Sequence, residues 1–131
     1  MKLSLTLRAA TPQDADRLSA LAMRSKAHWG YSAEFMAACR QELAVSPEKM
    51  LDDNYDYVLV ENGATVMGFY ALERLSISQF ELEVLFVEPT YMGQGIGRAL
   101  IAHARQRVIA SGGSTPLIQS DHHAEGFYRR A

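Results

Sequence analysis

Residues 80–110, "FELEVLFVEPTYMGQGIGRALIAHARQRVIA", constrain the fold of this chain more than any other stretch. An apolar, β-branched run ends at Pro89, and three glycines, Gly93, Gly95 and Gly97, follow at every second position. A helix begins at about Ile96 and runs to Ala110, with Ile96, Leu100, Ala104 and Val108 along one side. A strand that feeds directly into a helix predicts a layered α/β domain. Glycine costs conformational entropy, so three in one turn need a backbone reason. Two reasons are open: a tight turn required for packing, or a bare backbone shaped to hold an anion at a helix start.

The rest of the chain supplies partners for this unit. "LSLTLRAA" (3–10) alternates as a first strand, and "TPQD" starts a helix with Thr11 as N-cap, Pro12 at N1 and Asp14 at N3. Ala15, Leu18, Leu21 and Ala22 form the stripe of that helix. "HWGYS" (28–32) breaks it, Ser32 caps a second helix with Phe35, Cys39 and Leu43 on one face, and "SPEK" (46–49) caps a short turn. "YDYVLVE", Asn62-Gly63 and "ATVMGFYALE" predict a hairpin with a type I′ turn, and Gly68 marks a candidate bulge. "FELEVLFVE" (80–88) is a third strand of that sheet, Gly112 and Gly113 stop the long helix, "PLIQS" is a short strand, and Asp121 opens a last helix. The order is β-α-α-β-β-β-α-β-α, a mixed α/β fold with an antiparallel start and a parallel crossover near the end, expected as one domain over residues 1–131.

Composition narrows the function classes. A net charge of −2 on 131 residues and the lack of a long basic run argue against a nucleic-acid surface, so no nucleic-acid partner is expected. One cysteine, Cys39, excludes an internal disulfide and fits a reducing compartment. It sits on an apolar helical face without a matching base, as a structural thiol does. No run approaches the roughly 20 apolar residues of a membrane span. The amino terminus lacks the apolar core of a signal peptide, so a cytoplasmic location is expected.

The glycine turn carries the chemistry. Following a buried strand and opening a helix, its N–H groups face outward at the positive end of the helix dipole. Gly93, Gly95 and Gly97 would let a phosphate approach the backbone, and Arg98 could add a charge. No Gly-Lys-Ser/Thr follows, which excludes the Walker A pattern. Leu100 occupies the third glycine position counted from Gly95, which excludes the dinucleotide fingerprint.

"LEVLFVEPTYMGQGIGRALIAHA" resembles the acetyl-CoA-binding core of the GNAT family of N-acetyltransferases, in which a strand ending in V-x-P is followed by a Q/R-x-x-G-x-G/A loop and a helix. Gly95 and Gly97 match the family glycines, and "SDHHAEGFYRR" matches a later motif of Asn or Asp followed by Ala and, seven positions on, Tyr. The order of elements is also the family's. The resemblance implies acetyl-CoA as co-substrate, with its pyrophosphate on the backbone of Gly93, Gln94, Gly95, Ile96, Gly97 and Arg98. It implies a pantetheine arm paired strand-like with Leu85, Phe86 and Val87, which are core strand residues on any reading. Met92 stands where the family has Gln or Arg, and methionine donates no hydrogen bond. That departure implies weaker cofactor affinity or a larger share for Gln94 and Arg98.

Acetyl transfer from a thioester to an amine needs a base, an oxyanion donor and a proton for the thiolate. Glu81 and Glu83 share a strand face, either as a solvated surface or as carboxylates beside the amine. The resemblance implies Glu81 as the catalytic glutamate, with Glu83 near the acceptor. It also implies Tyr128 as the acid that protonates the thiolate, Asp121 as a contact to the cofactor arm or a helix cap, and a backbone N–H near Phe86 or Val87 at the oxyanion. A phenol of pKa near 10 suits that acid role; an amphipathic core tyrosine is the plainer alternative. His28, Trp29 and Tyr31 lie in the loop that shapes the acceptor pocket in this family, as substrate contacts or as a packed lid. His122 and His123 are adjacent and lack metal-ligand spacing, so no metal is expected.

Family members usually continue past "FYRRA" with a further hairpin. The expectation for this chain is a sheet truncated at that hairpin and a homodimer across the exposed edge. Three functions compete: an N-acetyltransferase acting on a primary amine of a small molecule or protein, a non-catalytic acyl-CoA-binding or regulatory module, and a dimerisation protein with a packing turn at the glycines.

Overall fold

The computed structural model describes residues 5–113 and, by backbone, 117–118. Among the described residues five strands form one sheet in the order β1-β2-β3-β4-β5: β1 (Thr6–Ala9), β2 (Tyr55–Asn62), β3 (Thr65–Arg74), β4 (Phe80–Val87) and β5 (Leu117–Ile118). The first four pair antiparallel, and β5 joins β4 in parallel through Glu81↔Leu117 and Leu82↔Ile118. Helices α1 (Ala15–Ala27), α2 (Ala33–Leu43) and α3 (Pro47–Met50) precede β2, and α4 (Ile96–Ala110) is the crossover from β4 to β5. The expected order and crossover are therefore present through β5. The last helix expected from Asp121 lies outside the described residues.

Helices cover the two faces of the sheet. Ile96, Leu100, Ala104 and Val108 of α4 are buried against Val58, Met67, Leu82 and Leu85, and burial of each large apolar side chain contributes about 1.5–3 kcal/mol. On the other face, Ala15, Leu18, Leu21 and Ala22 of α1 pack on Leu59, Phe69, Ala71 and Phe86. Both helical stripes are those expected from their periodicity. Of the α2 face, Cys39 is buried, but Phe35 is exposed and stacks on Tyr31, with ring centroids 4.6 Å apart.

Four local details differ from or sharpen the sequence reading. Thr11 does precede a first turn, but residues Pro12–Asp14 form a 3₁₀ turn and the α-helix starts at Ala15. The Asp14 carboxylate accepts hydrogen bonds from the Thr11 N–H and hydroxyl, so the acid caps the threonine. The hairpin turn is not type I′. Asn62 pairs with Thr65, which makes Gly63 and Ala64 the central residues. Among the described residues no non-glycine has a positive φ, and Gly63 has φ 62°, which is the type II′ pattern. The bulge falls beside Gly68: Val60 pairs with Gly68 and Glu61 with Val66, leaving Met67 as the extra residue.

A second bulge matters more for function. Ala71 pairs with Val84 but Leu72 with Leu82, so Glu83 is an extra residue on β4. That insertion is why Leu82 and Leu85, three apart, both reach the α4 side of the core, while Val84 and Phe86 reach the α1 side.

Candidate active site

The glycine turn stands between β4 and α4, preceded by a 3₁₀ turn at Pro89–Tyr91. Gly93 and Gly95 have φ of 81° and 83°, a left-handed conformation that a side chain would strain. Gly95 is the N-cap of α4 and its carbonyl accepts the Ala99 N–H at 3.0 Å. The N–H groups of Gly93, Gln94, Gly95, Ile96, Gly97 and Arg98 have no acceptor among the described residues. Gly93, Gln94, Gly95 and Arg98 are exposed, while Ile96 and Gly97 are buried and anchor the helix start. Backbone donors at the N-terminus of a helix of 15 residues are the groups with which helix starts hold anions. The Gln94 side chain reaches only back to the Thr90 carbonyl, at 3.5 Å. Met92 is half-buried, and Arg98 carries no partner among the described residues.

Upstream, β4 presents the other expected residues. Leu85 and Phe86 are buried and Val87 is half-buried. The pairing of β4 with β5 covers Glu81 and Leu82, so among the described residues the outer edge of Leu85–Val87 has no strand beside it. The two glutamates do share a face. Glu81 lies opposite Glu73, and Glu73 accepts a hydrogen bond from the Tyr55 hydroxyl at 3.2 Å. Glu83, at the bulge, accepts one from Lys49 Nζ at 2.8 Å through Oε1. Its Oε2 is buried and has no hydrogen-bond partner among the described residues.

Lys49 belongs to α3, whose start is capped by Ser46 Oγ accepting the Lys49 N–H at 3.0 Å. Its ammonium sits 4.8 Å from the centroid of the Tyr55 ring. Burial works to lower its pKa, but the Glu83 hydrogen bond and the Glu83 charge outweigh it and leave the value raised. Burial likewise pushes the Tyr57 phenol up, against the attraction of Lys49. Both groups therefore hold their protons at neutral pH.

The aromatic loop follows α1. His28 and Trp29 meet edge to face at 5.3 Å, and Lys26 lies over the Tyr31 ring. One turn before His28, Arg24 donates two hydrogen bonds to Glu88, the residue after β4. This pair borders a cleft of about 580 Å³ between α1 and the β2–β3 turn, lined also by Arg17, Leu21, Thr65 and Tyr91. That cleft touches the approach to the glycine turn but contains neither Glu81 nor Glu83. Tyr128 and Asp121 lie outside the described residues.

The sequence reading did not select Lys49, Arg24 or Glu88. Lys49 lies 34 residues from its partner and Arg24 lies 64 from its own. No local periodicity carries such pairs. No helix among the described residues is long and apolar enough to cross a membrane.

Comparison with known proteins agrees with this fold. No curated protein matches the sequence. Among solved structures, the PaiA N-acetyltransferase of Thermoplasma acidophilum in complex with coenzyme A superposes with a TM-score of 0.80 at 21% identity, over 98% of this chain and 88% of that one. A GCN5-related N-acetyltransferase from Ralstonia eutropha gives 0.76 at 18% identity, over 97% and 90%. The ribosomal-protein-S18-alanine N-acetyltransferase of Escherichia coli gives 0.70 at 18% identity, over 97% and 76%. At these identities the likeness establishes a shared fold. The sequence itself matches the acetyltransferase (GNAT) domain family across residues 11–131, through the strand, glycine turn and helix described above, and the chain belongs to that family.

Proposed function

We propose that this chain transfers an acetyl group from acetyl-CoA to a primary amine of a small molecule or protein. The observation that carries the reading is the run of six N–H groups, Gly93 to Arg98, left without acceptors at the start of α4 directly beyond β4. They suit the pyrophosphate of acetyl-CoA, and the outer edge of Leu85, Phe86 and Val87 suits strand-like pairing with the pantetheine arm.

In this reading Glu81 takes a proton from the acceptor ammonium, directly or through water, and Glu83 contacts the same amine. The nitrogen lone pair attacks the thioester carbonyl, a C–N bond forms, and a backbone N–H near Phe86 or Val87 meets the oxyanion. The C–S bond breaks, Tyr128 gives the thiolate its proton, and the second proton lost by the attacking nitrogen passes through water to the tyrosinate, leaving a neutral amide. Asp121 contacts the cofactor arm or caps its helix, and His28, Trp29 and Tyr31 border the acceptor. Met92, which donates no hydrogen bond, favours a second reading: a module that binds acyl-CoA without turning it over.

Calorimetric titration with acetyl-CoA followed by thiol release over an amine panel tests both. Binding with thiol release supports the transferase, binding without release supports the module, and absence of binding overturns both. Within the transferase reading, Glu81→Gln and Tyr128→Phe are each expected to lower kcat. Full turnover in both variants would remove these two assignments.

A further inference from the structure

Glu83 is the extra residue of the β4 bulge, so no cross-strand partner fixes its place. Bulges re-aim side chains in this way. One hydrogen bond does fix it: Lys49 Nζ to Oε1 at 2.8 Å. The other oxygen is buried without a donor among the described residues. A carboxylate oxygen in that state retains its full desolvation cost until a donor arrives. An ammonium, with up to three N–H donors and a positive charge, meets that need.

We propose that Lys49 is the positioning residue of the acceptor seat: by occupying Oε1 it locks the Glu83 side chain so that Oε2 alone is presented to the amine of the substrate. The inference rests on the transferase reading and deepens it by placing the acceptor's charged nitrogen at one atom. Lys49 is itself held at both ends. Its backbone is fixed by the Ser46 cap and by Pro47 at the first position of α3, and its ammonium by the Tyr55 ring. The alternative is an ion pair that only pins α3 to the sheet, with Lys49 39% and Glu83 23% exposed. The two differ in what the amine feels when Lys49 is changed.

The test uses the full chain labelled with ¹³C at the glutamate carboxyls, in the presence of CoA, and titrated with n-butylamine. The Glu83 resonance is identified by its loss in Glu83→Gln. A saturable shift of that resonance is expected in the unchanged protein. Lys49→Met and Lys49→Gln are expected to raise the half-saturating amine concentration about tenfold or more, the scale of one charge-assisted hydrogen bond. Lys49→Arg is expected to restore it. Equal half-saturation in all four proteins, or a Glu83 resonance indifferent to amine, overturns the proposal, as does a Lys49→Arg protein as impaired as Lys49→Met. Thiol release from acetyl-CoA with the same amine separates the two levels. Release with no Lys49 effect on amine saturation defeats the positioning role and leaves the transferase standing. A Lys49-dependent seat without thiol release does the reverse.

Discussion

Arg24 grips Glu88 through two hydrogen bonds, Nε to Oε1 at 2.8 Å and Nη2 to Oε2 at 2.7 Å. Arg24 is in the last turn of α1, just before the aromatic loop, and Glu88 is the residue at which β4 gives way to the glycine turn. The pair therefore ties the expected acceptor loop to the expected cofactor turn. With the arginine side chain 55% exposed, its contribution to stability is small, about 0.2–1 kcal/mol. Arg24→Ala is expected to leave the urea midpoint nearly unchanged and to raise the acceptor KM severalfold. Steady-state kinetics beside urea unfolding checks this, and an unaltered KM would reduce the pair to a surface contact.

Gly95 and Gly68 answer to different demands, and alanine separates them. A Cβ at Gly95 would meet nothing within 4 Å, so Gly95→Ala is strained only by the positive φ, by about 1–2 kcal/mol. Relief of that strain would turn the N–H groups of the turn. A Cβ at Gly68 would come within 2.8 Å of the Phe86 carbonyl and 3.1 Å of Leu100, where β3 lies beside β4 and beneath α4. Overpacking there costs about 1–3 kcal/mol. Gly95→Ala is expected to weaken acetyl-CoA binding beyond its effect on stability. Gly68→Ala is expected to lose stability first. Calorimetry with acetyl-CoA and urea unfolding on both variants give the comparison.

What the sequence made legible was local and periodic. The α4 stripe recurs every four residues and the α1 stripe every three or four, so both helices and their buried faces follow from spacing. The glycine turn was readable because its three glycines sit between a strand and a helix. The hairpin position was readable from Asn62-Gly63, but the turn type was not. Cross-strand register, which pairs Asn62 with Thr65, decides which two residues are central. The β4 bulge left a faint trace, the shift from Leu82 to Leu85, that an unbroken alternation conceals. Arg24–Glu88 and Lys49–Glu83 left none, because each joins elements brought together only by the folded sheet.

Asp14, 3% exposed, is the centre of a charge cluster. It accepts from Arg8 Nη1 at 3.0 Å and Nη2 at 3.2 Å, from Arg17 Nη2, and from the Thr11 N–H at 2.8 Å. The Arg8 hydrogen bonds hold its carboxyl well below the usual carboxylate range; burial opposes them, and Thr11 and Arg17 add to them. A folded-state pKa below the unfolded value of about 3.9 contributes stability that is present above that value. The contribution is lost as pH falls toward the folded value. Asp14→Asn is expected to cost up to about 3 kcal/mol at pH 7, because it leaves two partly exposed arginines without their shared anion. The variant's stability should fall less steeply than that of the unchanged protein below about pH 4. Urea midpoints at pH 7, 5 and 3 measure the difference; parallel slopes would show that Asp14 carries none of the acid sensitivity.

Tyr70, fully buried on β3, has its hydroxyl 2.8 Å from Nδ1 of His103 on α4. Arg107, held by Asp56 through two hydrogen bonds, stands beside them. Burial lowers the His103 pKa, and Arg107 lowers it further against the opposing charge of Asp56. Burial raises the Tyr70 phenol well above its usual value. The histidine is therefore neutral at pH 7 and the tyrosine keeps its proton, so the pair shares one uncharged hydrogen bond. A histidine whose folded pKa lies below about 6.5 contributes stability above that pH, and the contribution is lost as pH falls through the folded value. The phenol, raised from about 10, contributes stability that is lost only at more alkaline pH. Tyr70→Phe removes the bond and leaves Nδ1 without its partner, at a cost of about 1–3 kcal/mol. The expected result at pH 7.5 is a lower urea midpoint without loss of acetyl-CoA affinity, since the pair faces the core between β3 and α4. Histidine NMR supplies the second reading: His103 should titrate below the usual histidine value in the unchanged protein. A value at or above it would show that burial and Arg107 do not govern the ring and would remove the basis for both halves of the prediction.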